Sequence, residues 1–157
     1  MRRLMLIIGF MVAGVAHAAD DEHVQKFYFG GGFGYNKVPE FTDTKSELQL
    51  FAGYRMGNRF GLDPSYFSLA LEAGYMDTSD ADRDGWWLTP MLFAHVGPLT
   101  DLFVRAGGEV GHDNGIVYGA GAAYQIERNM EVRLEYVEHP KAHSVQLNVV
   151  YHPWRGF

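Results

Sequence analysis

The feature that most constrains this chain is a period of two, sustained through eight stretches of about 9–12 residues each. They lie near 26–36, 46–56, 66–77, 86–96, 102–112, 116–126, 130–138 and 143–153. Successive side chains of a strand point to opposite faces, so each stretch has one apolar and one polar face. In the last, Val145, Leu147, Val149 and Tyr151 oppose Ser144, Gln146, Asn148 and His152. In the seventh, Met130, Val132, Leu134 and Tyr136 oppose Glu131, Arg133 and Glu135. Soluble strands average about 5–6 residues. Stretches of this length match tilted strands that cross a bilayer.

Turn chemistry separates the strands. Asp113-Asn114-Gly115 is a hairpin signal, Gly97-Pro98 opens a reversal, and Pro140 cannot donate to a ladder. The connections are short, so consecutive strands pair as antiparallel neighbours. The expected fold is all-β: a closed, eight-stranded, antiparallel up-and-down barrel. Alternation alone does not say which face points out. A soluble, lipocalin-like barrel turns its apolar face inward, whereas a membrane barrel reverses it.

Composition decides between the two. The chain has 19 Gly, 11 Phe, 9 Tyr and 3 Trp. Gly30, Gly32, Gly34, Gly119 and Gly121 fall on polar faces. There they weaken a water-facing strand, but they leave room inside a narrow lumen for inward Arg and Glu side chains. Aromatics recur near the strand ends, among them Tyr35, Tyr54, Trp86, Tyr136, Tyr151 and Trp154. Tyr and Trp at those places suit the two interfacial girdles of a membrane barrel. The chain has no Cys, which removes disulfides, thiolate metal sites and a thiol nucleophile. Its formal charge of -6 has the wrong sign for a general nucleic-acid binder.

The N-terminus reads Met1-Arg2-Arg3, then an uncharged run to Ala16, then Ala16-His17-Ala18. This describes a secretory signal peptide over residues 1–18, with the barrel domain over 19–157. Cleavage removes two Arg and no acid, so the mature chain is more acidic. The expected location is the bacterial outer membrane, after export through the inner membrane.

With the segment His143-Ser144-Val145-Gln146-Leu147-Asn148-Val149-Val150-Tyr151, the stretch Val132-Arg133-Leu134-Glu135-Tyr136 and a terminal Phe157, the chain resembles the small outer-membrane β-barrel superfamily. That group includes OmpA transmembrane domains, OmpX/Ail-type proteins and opacity-like surface antigens. The resemblance covers the whole mature chain and is specific for architecture rather than activity. It implies that Phe157 is part of the signal read by the outer-membrane insertion machinery. Pro153-Trp154-Arg155-Gly156 interrupts the usual approach to that residue.

The main constellation is inward and charged: Glu47, Arg55, Glu72, Arg105, Glu109, Glu131, Arg133 and Glu135. With odd strands running outward, Glu72, Arg105, Arg133 and Glu135 fall near mid-depth. Unpaired charges in a narrow lumen are costly, so these acids and bases are expected to pair and plug the barrel. Asp80, Asp82, Asp84 and Gly85 match the opening of a calcium loop, but its twelfth position is Met91 instead of Glu. They make only a weak metal candidate. His143 and Ser144 are adjacent, and on a strand they point apart, so they do not form a base–nucleophile pair. His139 and His143 lie four apart across a loop, a weak metal signal.

The external connections are expected near 37–45, 78–85, 112–115 and 139–142, too short for large adhesive loops. With no further domain after Phe157, an anchoring role is not expected. The reading is a non-enzymatic outer-membrane protein with a structural, surface-antigen or adhesion-type role and no cofactor. Its alternatives are a lipid A-modifying enzyme and a narrow ion channel. Expected partners are outer-membrane lipid, lipopolysaccharide and the insertion machinery, but no nucleic acid, and the protein is expected to be a monomer.

Overall fold

The computed structural model describes residues 27–37, 44–56, 63, 65–78, 84–111 and 114–153. Eight strands occupy almost all of them: β1 (Phe27–Lys37), β2 (Thr44–Met56), β3 (Phe67–Thr78), β4 (Gly85–His95), β5 (Thr100–Gly111), β6 (Gly115–Glu127), β7 (Met130–His139) and β8 (Ala142–Tyr151). No boundary departs from the sequence expectation by more than two residues. Each strand pairs with its sequence neighbours, and β1 pairs antiparallel with β8, which closes the barrel. No sheet edge is left, so the backbone bonds stay inside the wall as a bilayer requires.

One end of the barrel carries both termini of the wall, Phe27 and Tyr151, and the connections at 57–66, 96–99 and 128–129. We call it the terminal end. The far end carries the connections at 38–43, 79–84, 112–114 and 140–141. A register shift between Gln125 and Glu127 seats the tight reversal into β7. Pairing of β4 with β5 skips Thr89 and Pro90, because Pro has no N–H to give the ladder. Gly107 sits opposite that gap. A Cβ there would collide with the Leu88 carbonyl, so the close approach of the two backbones needs glycine.

The faces are reversed relative to a soluble barrel. Phe33, Leu48, Leu50, Leu88, Val104, Val110, Leu134 and Val149 lie exposed on the outside. Glu47, Glu72, Arg105, Arg133 and Glu135 are all buried within. A continuous exposed apolar wall of this kind needs lipid against it. Tyr35, Trp86 and Tyr136 stand on the outer surface toward the far end, and Tyr54 and Tyr151 toward the terminal end. Ring contacts tie neighbouring strands at both rims: Tyr75 with Trp86 at 5.0 Å and Phe27 with Tyr54 at 4.8 Å between centroids. Trp154, Phe157 and residues 1–18, where a signal peptide is expected, lie outside the described residues.

Candidate functional site

The lumen glycines serve rings as well as charged chains. Tyr28 lies directly across from Gly53, Phe51 from Gly30, Trp87 from Gly74 and Phe103 from Gly121. A Cβ on any of these glycines would run into the opposing ring. Each glycine therefore lets a large aromatic lie flat across its neighbouring strand, inside the barrel. The sequence placed most aromatics on the lipid face and rims. Tyr28, Phe51, Trp87, Phe93 and Phe103 are instead fully or nearly fully buried in the lumen.

Those rings carry the arginines. The guanidinium carbon of Arg105 lies 4.0 Å from the Trp87 ring centroid, that of Arg55 4.1 Å from Phe93, and that of Arg133 4.8 Å from Tyr28. Stacking on a ring face stabilises a desolvated cation and fixes its plane. The edges of the guanidinium groups then meet carboxylates. Arg133 donates from Nε to Glu131 Oε1 at 2.6 Å and from Nη1 to Glu72 Oε2 at 2.7 Å. Arg105 Nη1 donates to Glu135 Oε2 at 3.1 Å and stands 3.7 Å from Glu72 Oε1. Glu72 on β3 thus bridges two arginines, Arg105 on β5 and Arg133 on β7. Arg55 reaches Asp101 at 3.3 Å and Glu131 at 3.8 Å.

The chain of contacts extends to both ends. Toward the terminal end, His95 Nδ1 meets Asp101 Oδ1 at 2.6 Å, and His152 Nε2 lies 3.4 Å from Glu131 Oε2. Toward the far end, Asn148 donates to Glu135 at 2.6 Å, and Gln49 donates to Asn148 at 2.7 Å and to Gln146 at 2.8 Å. Gln146 Nε2 then donates to Glu47 Oε1 at 2.7 Å and to Ser144 Oγ at 2.8 Å. Ser144 Oγ stands 3.3 Å from His139 Nε2, and His139 Nδ1 is 2.7 Å from Glu109 Oε2. A single unbroken column of ionic and hydrogen-bonded side chains thereby runs from His95 to Glu109 through the whole lumen.

All eight charged residues singled out from the sequence face this lumen. Six of them, Arg55, Glu72, Arg105, Glu131, Arg133 and Glu135, join in one ionic cluster. Glu47 and Glu109 instead meet Gln146 and His139. Sequence reasoning missed the amide relay of Gln49, Gln146 and Asn148 and the roles of the three histidines. It placed His139 in a loop, whereas β7 continues through it and turns it inward. His143 and Ser144 do point apart, with Ser144 fully buried. The partner that Ser144 finds is His139, five residues earlier across a two-residue turn. His139 lies opposite Ala142 and Val137 opposite Ser144, so both His139 and Ser144 share the inner face. A hairpin drawn tightly around Pro140-Lys141 would have revealed it.

The calcium-like run fares differently. Asp80 and Asp82 lie outside the described residues. Asp84 accepts a hydrogen bond from the Tyr75 hydroxyl at 3.0 Å. Strand β4 begins at the sixth position of the motif, Gly85, and carries the twelfth, Met91, into the lumen. A calcium loop has to curl back through its twelfth position, and a strand cannot do so. Among the described residues no cluster of three or more His, Asp or Glu side chains is set to hold a metal.

Comparison with known proteins agrees with this architecture. A family model described as the outer membrane protein beta-barrel domain matches residues 5–152. Among solved structures, the chain is similar to a de novo designed transmembrane β-barrel, at 22% identity and a TM-score of 0.57 over 83% of this chain and 97% of that one. It is also similar to the outer-membrane enzyme PagL, at 13% identity and a TM-score of 0.60 over 79% and 98%. A third likeness is to Ail, the attachment invasion locus protein of Yersinia pestis, at 9% identity and a TM-score of 0.55 over 82% and 96%. These identities speak for a shared fold alone. No curated protein matches the chain in sequence.

Proposed function

The chain belongs to the outer membrane protein β-barrel domain family, and from that premise we propose that it acts as a closed, plugged barrel with a structural and surface-exposed role in the bacterial outer membrane. The observation that carries this reading is the unbroken column from His95 to Glu109. An eight-stranded lumen is just wide enough for side chains to fill. Here the filling is ion-paired and stacked on rings, so a diffusion path for solutes would have to break buried charge pairs. That supports a barrier or display function over a channel, and no catalytic step is part of it.

The outer apolar wall seats in outer-membrane lipid and lipopolysaccharide, and the insertion machinery delivers the chain there as a monomer. The terminal end faces the periplasm and the far end faces out. Display at the far end fits a surface-antigen or adhesion-type role, of the kind that the name attachment invasion locus protein ascribes to Ail. Adhesion would rest on the first two far-end connections, because the last one, at 140–141, is a two-residue turn.

Fractionation tests this reading. The protein is expected in the outer membrane, migrating faster on gels before heating than after. An epitope inserted between β3 and β4 should be reached by antibody on intact cells. Recovery from the soluble periplasm, or an epitope reached only after lysis, would contradict the reading.

A further inference from the structure

We propose that Glu109, His139 and Ser144 form a hydrolytic triad at the far end of the lumen that cleaves short-chain carboxylic esters. The inference goes beyond the barrier role and does not depend on it. His139 presents Nδ1 to the Glu109 carboxylate at 2.7 Å and Nε2 to the Ser144 hydroxyl at 3.3 Å. A carboxylate on Nδ1 holds the proton there and leaves the Nε2 lone pair to accept from the serine. The three residues come from three strands, β5, β7 and β8, with rigid paired backbones behind them. All three are buried, which strengthens charge interactions between them.

The surroundings support a site beyond a capped end. Gln146 Nε2 donates to Ser144 Oγ at 2.8 Å, a contact that favours negative charge on that oxygen. Gln49 fixes Gln146 from the other side at 2.8 Å. Asn36 lies directly opposite Ser144 on β1, buried, with an Oδ1 that has no partner among the described residues. Glu47 Oε2 is likewise unpartnered. Native interiors rarely leave such atoms unmet, and two of them beside one serine mark unfilled polar demand. A cleft of about 350 Å³, lined by Phe33, Ser46, Glu47, Leu48, Asp77 and Thr78, opens on the outer face of the wall, and of these residues Glu47 belongs to the far-end network. Ser144 itself has no exposed surface, so the acyl group has to be small.

The reaction balances without a cofactor. Ser144 Oγ attacks the ester carbonyl carbon while His139 Nε2 takes the hydroxyl proton. The carbon–oxygen bond to the alcohol breaks, and the alcohol leaves with that proton. Water then gives a proton to His139 and its hydroxyl to the acyl carbon. The carboxylic acid departs and Ser144 recovers its proton. Ser144 and His139 are the catalytic residues, and Glu109 positions the imidazole. Among the described residues, the other charged groups on the inner face at this end are Glu47 and, two residues nearer the rim on β2, Lys45.

The experiment uses the full chain folded in detergent micelles, with p-nitrophenyl acetate as substrate and a fluorophosphonate as probe. Heat-modifiable gel mobility verifies folding of every variant. The expected results are fluorophosphonate on Ser144 by peptide mass, and hydrolysis of the acetate ester. Ser144→Ala should abolish both. Glu109→Gln should lower the rate by about 100-fold or more while leaving the protein folded. Absence of label on Ser144, or equal hydrolysis by wild type and Ser144→Ala, would overturn the proposal. Equal rates with p-nitrophenyl octanoate would overturn the short-chain assignment.

Discussion

Toward the terminal end and the middle of the lumen, Glu72, Glu131 and Glu135 each meet an arginine that lies on an aromatic ring. Toward the far end, Glu47 and Glu109 meet an amide and an imidazole. The three lumen arginines spend their contacts on acids of the first region. Both regions bury carboxylates at nearly zero exposure, so desolvation alone does not distinguish them. Compensation does. The first region has fixed opposite charges with stacked planes and behaves as a lock. The second relies on neutral donors and a titratable ring, and it leaves polar atoms of Asn36 and Glu47 unmet. Stability is concentrated in one region and chemistry is available in the other.

The largest effect on the difference between the two regions is expected from Arg133→Met. It preserves bulk and removes the charge that Glu72 and Glu131 share. Leaving buried carboxylates uncompensated costs about 3–5 kcal/mol. Reversible urea unfolding from lipid vesicles should show a loss of that size, and an unchanged midpoint would remove the lock.

A smaller effect is expected from Gly53→Ala, which forces a methyl group against the Tyr28 ring. Overpacking of that kind costs about 1–3 kcal/mol. Combining it with Tyr28→Leu should recover part of the loss, because the clash partner is gone. Additive losses in the same unfolding measurement would show that the glycine is not there to admit the ring.

The smallest effect is expected at the other end. Glu47→Gln replaces a buried carboxylate whose second oxygen has no partner among the described residues. Removing a poorly compensated buried charge is expected to change stability by less than about 1 kcal/mol, or to raise it. A loss as large as that of Arg133→Met would erase the difference between the two regions.

Period-two alternation made the wall legible from sequence, because a one-residue slip would have exposed Arg133 and buried Leu134. It also told which charged residues face inward. It could not tell which acid meets which base, since Glu72 on β3 and Arg133 on β7 come together only through closure of the barrel. The ring–glycine pairs were hidden for a related reason. Gly53 and Tyr28 are cross-strand partners in a register that turn lengths set, and residues 38–43 carry no sharp turn signal. The relation of His139 to Ser144 was nearer the surface of the sequence. Starting the loop at His139 instead of after it concealed an inward histidine.

The claim on which the rest depends is that the column closes the lumen. Planar-bilayer recording of the folded wild-type chain tests it most directly. A flat trace at the leak level of the bare membrane is expected. Discrete, reproducible conductance steps that scale linearly with voltage would contradict it.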